Sequence, residues 1–289
     1  MSYYKVLGFQ REPFSTSPDP EFFYESKAHE IALTNLMIEM RLKRGLSVIL
    51  GDVGTGKTTL SRKLIQLLRS REDIIFNIVM DPTFESEELF MMKLARNFEL
   101  SIPVAHPNIL DIQEALERFL YQKGVVENKT VVLIVDEAQK LNEVTLEALR
   151  VLLNYETNEF KLLQLILLGQ LELYAKIMNM NNFLDRVSFK YTLNPLDEEE
   201  TRRLIEFRIR QAGYSSRMFL FLDGAVREIH RYTKGYPRRI AMLCHKALKA
   251  LVLKRKSVVD EVLVKEVINE EDIQGWPRIT QALVQKNSF

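Results

Sequence analysis

The segment Gly51-Asp-Val-Gly-Thr-Gly-Lys-Thr-Thr59 organises this chain of 289 residues. It fits the pattern G-x-x-x-x-G-K-[ST] of a phosphate-binding loop. An apolar run, Leu46 to Leu50, precedes it, and leucines at helical spacing follow it. A chance match in a glycine turn would have no reason to stand between a strand and a helix. The sequence therefore predicts an anion-binding turn that joins these two elements.

Each defining position of this loop has a predicted role toward a nucleotide. Glycines let the backbone turn tightly so that N–H groups converge on anionic oxygens, and the helix N-terminus adds the positive end of its dipole. Lys57 is predicted to reach the β and γ phosphates, Thr58 to ligate Mg²⁺, and Thr59 to contact the α phosphate. The predicted nucleotide-binding residues of the loop are Gly51, Asp52, Val53, Gly54, Thr55, Gly56, Lys57, Thr58 and Thr59.

The composition is that of an ordinary globular protein, with 46% hydrophobic residues and a net charge of +1. The longest apolar runs, 131–135 and 162–168 with Gln164 inside, are far short of the roughly 20 residues that cross a bilayer. The N-terminus lacks the apolar region of a signal peptide, and the single cysteine, Cys244, cannot form an internal disulfide. We therefore expect a cytoplasmic protein without a transmembrane segment.

An arm rich in aromatic residues and prolines, residues 1–30, precedes the loop, and a helix is predicted to start near Ser26 within it. The arm has two interpretations. It either lies near the nucleotide base or packs as an aromatic lid over the core edge without touching a ligand. His106 lies in a later, proline-flanked loop without cysteine or carboxylate neighbours, which favours a solvent-facing side chain over a metal ligand.

Strands and helices alternate after the loop. A buried strand is predicted at 74–80 and a helix at 86–100, and a second helix is predicted to be capped by Asp111 and to end at Gly124. This alternation indicates an α/β fold. A complete strand–helix unit before the next chemical motif is typical of the additional-strand class of phosphate-loop enzymes.

The run Thr130-Val-Val-Leu-Ile-Val-Asp136-Glu137 is a continuous apolar strand that ends in two carboxylates. Ligands of parallel sheets bind at this carboxyl edge. Asp136 is predicted to hold Mg²⁺ through its water shell, and Glu137 to polarise the water that attacks the γ phosphate. A helix-capping aspartate would give the same letters without chemistry, but the phosphate loop favours the hydrolytic interpretation.

A fourth strand, 162–168, is followed by Gly169 and Gln170, and a short fifth strand is predicted at 188–193. Gln170 is the predicted sensor of the γ phosphate. The alternative is that it only caps the following helix.

Helices without further strands are predicted beyond Asp197, at 198–212, 223–233, 237–253 and 258–271. We therefore predict a nucleotide-binding domain with its arm at 1–195, a helical lid at 196–272 and a short tail at 273–289.

The predicted lid is basic in part. Residues 201–256 carry 15 Lys/Arg against 3 Asp/Glu, although the excess falls to +3 over 196–272. Arg238 and Arg239 stand at a helix start, where Arg238 is the better candidate to point across a cleft. The alternative is that both arginines are solvated basic residues without a role in the site.

These motifs together resemble the AAA+ ATPases, and more closely the general secretion pathway protein A (ExeA-like) group, related to TniB-type transposition ATPases. The stretches that carry the resemblance are Ser17-Pro-Asp-Pro20, Gly51 to Thr59, Val135-Asp-Glu-Ala-Gln139, Leu152-Leu-Asn-Tyr-Glu-Thr157, Gly169-Gln-Leu-Glu-Leu173 and Gly235-Tyr-Pro-Arg238. One departure is Leu171, where a proline is common in the family.

The resemblance implies a five-stranded sheet of order 5-1-4-3-2 with an α-helical lid, ATP and Mg²⁺ as ligands, and action as a homo-oligomer. In that comparison Arg186 looks like the arginine finger inserted into a neighbouring subunit's site. Arg238 looks like the sensor 2 arginine of the lid.

Three hypotheses about function follow. The first is a Mg²⁺-dependent ATPase whose cycle alters its own assembly and that of an unidentified protein partner, with Lys57, Glu137, Gln170 and Arg186 as catalytic residues. The second is an ATP-dependent regulator that binds DNA through its basic lid. The third, a nucleotide-gated interaction protein with negligible turnover, is disfavoured by Glu137.

Overall fold

The computed structural model describes residues 2–17, 19–102, 107–215 and 219–274. His106 and the tail beyond residue 274 lie outside these ranges, and the expectations for them stay predictions. The chain divides into two compact units, residues 17–195 and residues 1–16 together with the chain from Leu196. The first unit contains the sheet and the second is helical.

One parallel sheet forms the centre of the unit at 17–195. Its strands are β1 (Leu46–Gly51), β2 (Ile74–Val79), β3 (Thr130–Val135), β4 (Leu163–Gly169) and β5 (Val187–Leu193). They lie in the order β2-β3-β4-β1-β5, with each neighbouring pair parallel. Read from the other edge, this is the predicted order 5-1-4-3-2, which is confirmed. Strand β4 thus separates the loop strand from the strand that carries the two carboxylates.

Helices lie close to their predicted positions. In chain order they are α1 (Tyr3–Val6), α2 (Lys27–Arg41), α3 (Lys57–Arg69), α4 (Glu87–Asn97), α5 (Ile109–Tyr121), α6 (Glu143–Leu152), α7 (Leu171–Met178), α8 (Asn181–Leu184), α9 (Glu198–Gln211), α10 (Asp223–Thr233), α11 (Pro237–Leu253) and α12 (Glu261–Gln274). Short 3-10 turns lie at Pro20–Phe22 and Ala138–Lys140, and a π turn at Gln122–Val126. Within the described ranges, none of these helices is both long and apolar enough to cross a bilayer.

The continuous apolar run of β3 is explained by burial on both faces of the sheet. Val131, Leu133 and Val135 pack in one core with side chains of α4, α5 and α6. Val132 and Ile134 point to the opposite face and pack with α2 and α3. Parallel strands covered by helices on both sides have no polar face. The first polar side chains after β3 therefore lie at its carboxyl edge.

Helix α5 begins earlier than predicted. The Asn108 side chain accepts hydrogen bonds from the N–H groups of Leu110 (2.8 Å) and Asp111 (3.1 Å), and Asp111 in turn accepts from the N–H of Asn108 (2.9 Å). Asp111 is therefore not the cap but the third residue of a capping box. Gly124 does not end the helix either, since it lies within the π turn that follows α5.

The amino-terminal arm is divided between the two units. Phe9 and Phe14 are buried in the helical unit. The Phe9 ring lies 5.3 Å from the ring of Tyr214, and the Phe14 ring lies 5.9 Å from that of Phe221. The arm was predicted to belong wholly to the nucleotide-binding domain. Its first 16 residues instead belong to the helical unit, which contains the aromatic residues that pack against Phe9 and Phe14.

Helices α9 to α12 form the helical unit with α1. Asp197 and Glu200 make a capping box at the start of α9. The apolar sides of the helices meet in a core in which Ile205, Ile229 and Leu248 are almost fully buried. The polar sides carry many exposed basic and acidic residues, whose pairing bears on the predicted DNA partner.

Candidate functional site

The phosphate-binding loop joins β1 to α3, as predicted. Gly56 stands at the N-cap of α3 with a φ of 101°, in the left-handed region. A Cβ at this position would lie 2.9 Å from Nε2 of His29. Glycine is needed here both for the turn and for the space, because the imidazole lies directly against the loop backbone.

Two backbone carbonyl groups of the loop hold the side chain of Lys57. Its Nζ donates to the carbonyl oxygens of Gly51 (2.8 Å) and Asp52 (3.0 Å), and the residue is only 5% exposed. Burial lowers the pKa of Lys57, and the negative charges of Glu137 and Asp136 oppose that change. The two carboxylates thus favour the charged form of the amine, and a charged amine within the loop can pair with an anionic ligand such as a phosphate.

Asp136 lies just past the end of β3 and is 1% exposed. Its carboxylate accepts from the Ser61 hydroxyl (3.2 Å) and from the N–H of Glu137 (2.9 Å), and the Thr58 hydroxyl bonds it as well. Burial raises the pKa of Asp136, partly offset by these hydrogen bonds. The structure therefore brings the two predicted magnesium ligands, Thr58 and Asp136, together.

Glu137 has a φ of 53°, unusual for a residue with a side chain. It precedes the 3-10 turn at Ala138–Lys140 and accepts a hydrogen bond on Oε2 from Nε2 of Gln139 at 2.7 Å. Residues with side chains that adopt strained backbone conformations are enriched at functional sites. Glu137 is half-buried at the same edge of the sheet as the loop.

Gln170 follows β4 at this edge too, because Gly169 is paired with Leu50 of β1. It occupies the N-cap position of α7, but its side chain makes no cap hydrogen bond. The alternative that Gln170 serves only as a side-chain cap thus has no contact to support it. Its backbone N–H donates to Oε1 of Gln139 at 3.0 Å.

Arg186 lies at the opposite edge of the sheet from the phosphate loop. It precedes Val187, which pairs with Leu46 at the start of β1, whereas the loop follows Gly51 at the end of β1. Six residues of strand span about 20 Å. The guanidinium donates to Asn154 Oδ1 (2.7 Å) and to the carbonyl of Asn182. Arg186 is therefore too far from its own loop to act there.

Arg238 lies in the helical unit as the second residue of α11. It is exposed and lines a groove of about 380 Å³ within that unit, together with Glu12 and Lys246. The neighbouring Arg239 lies over the ring of Tyr236, 4.8 Å from its centroid. Arg238 is thus a lining residue of this groove.

Sequence reasoning missed two residues that support the site. His29 is 3% exposed, its Nδ1 lies 2.7 Å from the Ser26 hydroxyl, and burial lowers its pKa to about 4. Gln139 bonds both Glu137 and Gln170. His29 lies in the first turn of a predicted helix, and Gln139 lies two residues after the predicted catalytic residue Glu137. Neither residue belongs to a recognisable ligand pattern in the sequence.

Known proteins match this chain in both sequence and fold. A family model described as "AAA domain" matches residues 40–177. General secretion pathway protein A of Aeromonas hydrophila is 34% identical over 250 residues, which cover 86% of this chain and 44% of that protein. The chain thus spans less than half the length of this relative.

Several solved structures have a similar fold. ORC2 of Aeropyrum pernix, solved with ADPNP and ADP, has a TM-score of 0.63 and 18% identity, covering 96% of this chain and 75% of that one. Cdc6p of Pyrobaculum aerophilum has a TM-score of 0.67 and 16% identity, covering 94% and 73%. The RuvB Holliday junction branch migration motor of Thermotoga maritima has a TM-score of 0.54 and 14% identity, covering 89% and 74%.

At these identities the solved structures indicate only the fold, whereas the sequence matches indicate the family. The chain thus contains an AAA domain built on the AAA+ phosphate-loop fold, and over most of its length it is a relative of General secretion pathway protein A.

Proposed function

We propose that this chain is a Mg²⁺-dependent ATP hydrolase whose nucleotide cycle drives assembly or remodelling of a partner complex. One observation carries the proposal: the buried amine of Lys57 shares one sheet edge with the buried Asp136 and with Glu137. A phosphate ligand, a metal ligand and a base at one edge are the parts that hydrolysis of a nucleoside triphosphate needs.

Thr58 and Asp136 are suited to Mg²⁺. Among the described residues, no group of three or more His, Cys, Asp or Glu side chains could hold a metal ion. Mg²⁺ is commonly bound by one or two protein oxygens, with water and phosphate oxygens filling the other positions. A hydroxyl next to a buried carboxylate meets that need. When bound, the ion would neutralise charge on the β and γ phosphates.

Glu137 is the proposed general base, which accepts a proton from the attacking water. As the water oxygen bonds to the γ phosphorus, the bond from that phosphorus to the bridging oxygen breaks, and ADP and phosphate are released. Lys57 would exchange its two carbonyl partners for phosphate oxygens, so that the loop opens toward the ligand. Gln170, at the tip of the neighbouring strand, would sense the γ phosphate with its side-chain amide. Binding, proton transfer and sensing would thus be carried out by residues that follow three strands, β1, β3 and β4.

The same proposal assigns roles to two arginines. Arg186, directed away from its own loop, would complete the site of a neighbouring subunit. Arg238 would act as the sensor 2 residue of the lid. The role of Arg186 requires a homo-oligomer, and we propose that this assembly acts on a protein partner.

The purified protein is expected to release phosphate from ATP with Mg²⁺ present and to stop when EDTA removes the ion. Without the cation, the loop and Lys57 face the full charge of the triphosphate. Phosphate release during an ATP titration measures this, and restored Mg²⁺ should restore the rate. Tight ATP binding without any turnover in Mg²⁺ would contradict hydrolysis and favour a nucleotide-gated interaction protein.

The alternative function, DNA binding by the lid, depends on ten basic residues of the helical unit. These are Arg202, Arg203, Arg208, Arg210, Arg231, Lys246, Lys249, Lys254, Arg255 and Lys256. Several of them form ion pairs with acidic residues of the same unit. The pairs are Arg202 with Glu199 and Asp223, Arg203 with Glu199, Arg210 with Glu206, Arg231 with Glu228, Lys254 with Glu266 and Glu270, and Lys256 with Asp260. This pairing reduces the charge available for a phosphate backbone.

We therefore expect weak duplex binding with a shallow salt dependence, both with and without a non-hydrolysable ATP analogue. Each neutralised phosphate contributes about −0.9 to the slope of log affinity against log salt. Fluorescence anisotropy at 50 to 200 mM salt measures the slope. A slope near −4.5 or steeper, which corresponds to about five phosphates, would support the DNA-binding alternative instead.

A further inference from the structure

We propose that Gln139 is a positioning residue for Glu137, acting as an amide bridge between the ends of β3 and β4. The inference rests on the proposed function, since it assigns the bridge a purpose in orienting the base. Gln139 follows Glu137 by two residues, and neither its spacing nor its type suggests a ligand. Its geometry in the structure is what assigns the role.

The Gln139 side-chain amide makes two hydrogen bonds, one as a donor through its nitrogen and one as an acceptor through its oxygen. Nε2 donates to Oε2 of Glu137 at 2.7 Å, and Oε1 accepts from the backbone N–H of Gln170 at 3.0 Å. The opposite orientation of the amide would set oxygen against carboxylate and NH₂ against N–H. The network therefore fixes which atom faces the base.

The bridge rests on a rigid support. The backbone carbonyl of Gln139 accepts from Nζ of Lys176 at 2.6 Å, and the same amine bonds the carbonyl of Leu141 at 2.8 Å. Gly169, at the end of β4, allows the two strand ends to approach closely. A Cβ at this position would lie 3.3 Å from the backbone nitrogen of Gln139 and 2.7 Å from the Leu173 side chain. The amide thus has little freedom to move away from Glu137.

Fixing Oε2 has a direct consequence for the base. A half-exposed glutamate has three side-chain torsions, and holding them in one arrangement costs conformational entropy. The donor on Gln139 holds Oε2, which leaves Oε1 of Glu137 to accept the proton of a water. Misplacement of a catalytic group by about 1 Å can cost about 10²-fold in rate. The bridge also links the base to the strand end that carries Gln170.

Neither glutamate, asparagine nor leucine satisfies both partners at this position. A glutamate would keep an acceptor for the Gln170 N–H but would turn a second carboxylate toward Glu137. An asparagine is one methylene shorter, and a leucine of similar volume has neither group. Gln139→Glu therefore removes the donor alone, and Gln139→Leu removes both functions.

The test measures ATP affinity and turnover separately in Gln139→Glu and Gln139→Leu. We expect the turnover number to fall about 10- to 100-fold. The dissociation constant for ATP and the melting temperature should stay close to those of the unmodified protein, because the loop and Lys57 are unchanged. Hydrolysis of pre-bound ATP on addition of Mg²⁺ should slow by the same factor, which places the loss before product release.

Gln66→Glu is the matched control, since it makes the same charge change at an exposed position of α3. It should hydrolyse ATP normally. Normal turnover in both Gln139 variants, or a loss of ATP affinity or folding that parallels the loss of turnover, would overturn the positioning role. Glu137→Gln is measured alongside. If that variant hydrolyses ATP normally, the assignment of the base fails, independently of the outcome for Gln139.

Discussion

Glu137→Gln protein is expected to bind ATP as the unmodified protein does and to lose hydrolysis almost completely. The substitution preserves size and leaves the loop intact, but an amide does not accept the proton of the attacking water. General-base catalysis contributes about 10²- to 10⁴-fold in rate. Nucleotide titration measures the binding, and phosphate release measures the turnover.

Lys57→Ala is the counterpart of this variant, because it should lose tight ATP binding first. The alanine removes the buried amine that pairs with the β and γ phosphates, while Asp136 and Glu137 remain as uncompensated negative charges at the same edge. The two variants therefore separate binding from chemistry. A Glu137→Gln protein that hydrolyses ATP at the normal rate would remove Glu137 as the base.

Arg186→Ala is expected to lower ATP turnover about 10³- to 10⁵-fold, the range measured for arginine fingers. Because Arg186 lies at the far end of β1 from its own loop, we expect the loss to arise at a neighbour's site. Mixing Arg186→Ala with Lys57→Ala protein should restore activity. At a mixed interface, the intact loop of the first variant faces the intact Arg186 of the second.

Arg71→Ala is a suitable control for this experiment. Arg71 also lies near the amino edge of the sheet, before β2, and it forms an exposed ion pair with Asp73. Its removal should leave turnover unchanged. Light scattering shows whether the two proteins of the mixture assemble together. A mixture that assembles but stays inactive would contradict action in trans.

The sheet could be predicted from sequence because burial on both faces leaves a strong signal. A strand such as β3 is visible in the sequence as an unbroken apolar run. The phosphate-binding loop after β1 and the two carboxylates after β3 both indicate the carboxyl edge of the sheet. The strand order came with the resemblance to AAA+ ATPases, since apolar runs do not tell which strands are neighbours. Loop residues such as Lys57 were predictable because the spacing of their motif encodes a local turn.

Other features depend on contacts between distant residues. The Gln139 bridge joins positions 31 residues apart, and it exists only because β3 and β4 lie side by side. The first 16 residues join the helical unit because Phe9 and Phe14 meet aromatic rings about 200 residues later. The basic excess of the lid suggested a free surface, because composition does not show which side chains are paired.

The separation of Arg186 and the phosphate loop along β1 bears on the ends of an assembly. If Arg186 acts in trans as proposed, every loop of a closed ring or of a two-fold pair receives an arginine from a neighbour. In an open row, the subunit at one end has a loop that no arginine reaches. That terminal subunit would keep its ATP far longer than the others. Turnover per subunit would then rise with the length of the row, and the end that retains ATP would give the row a direction.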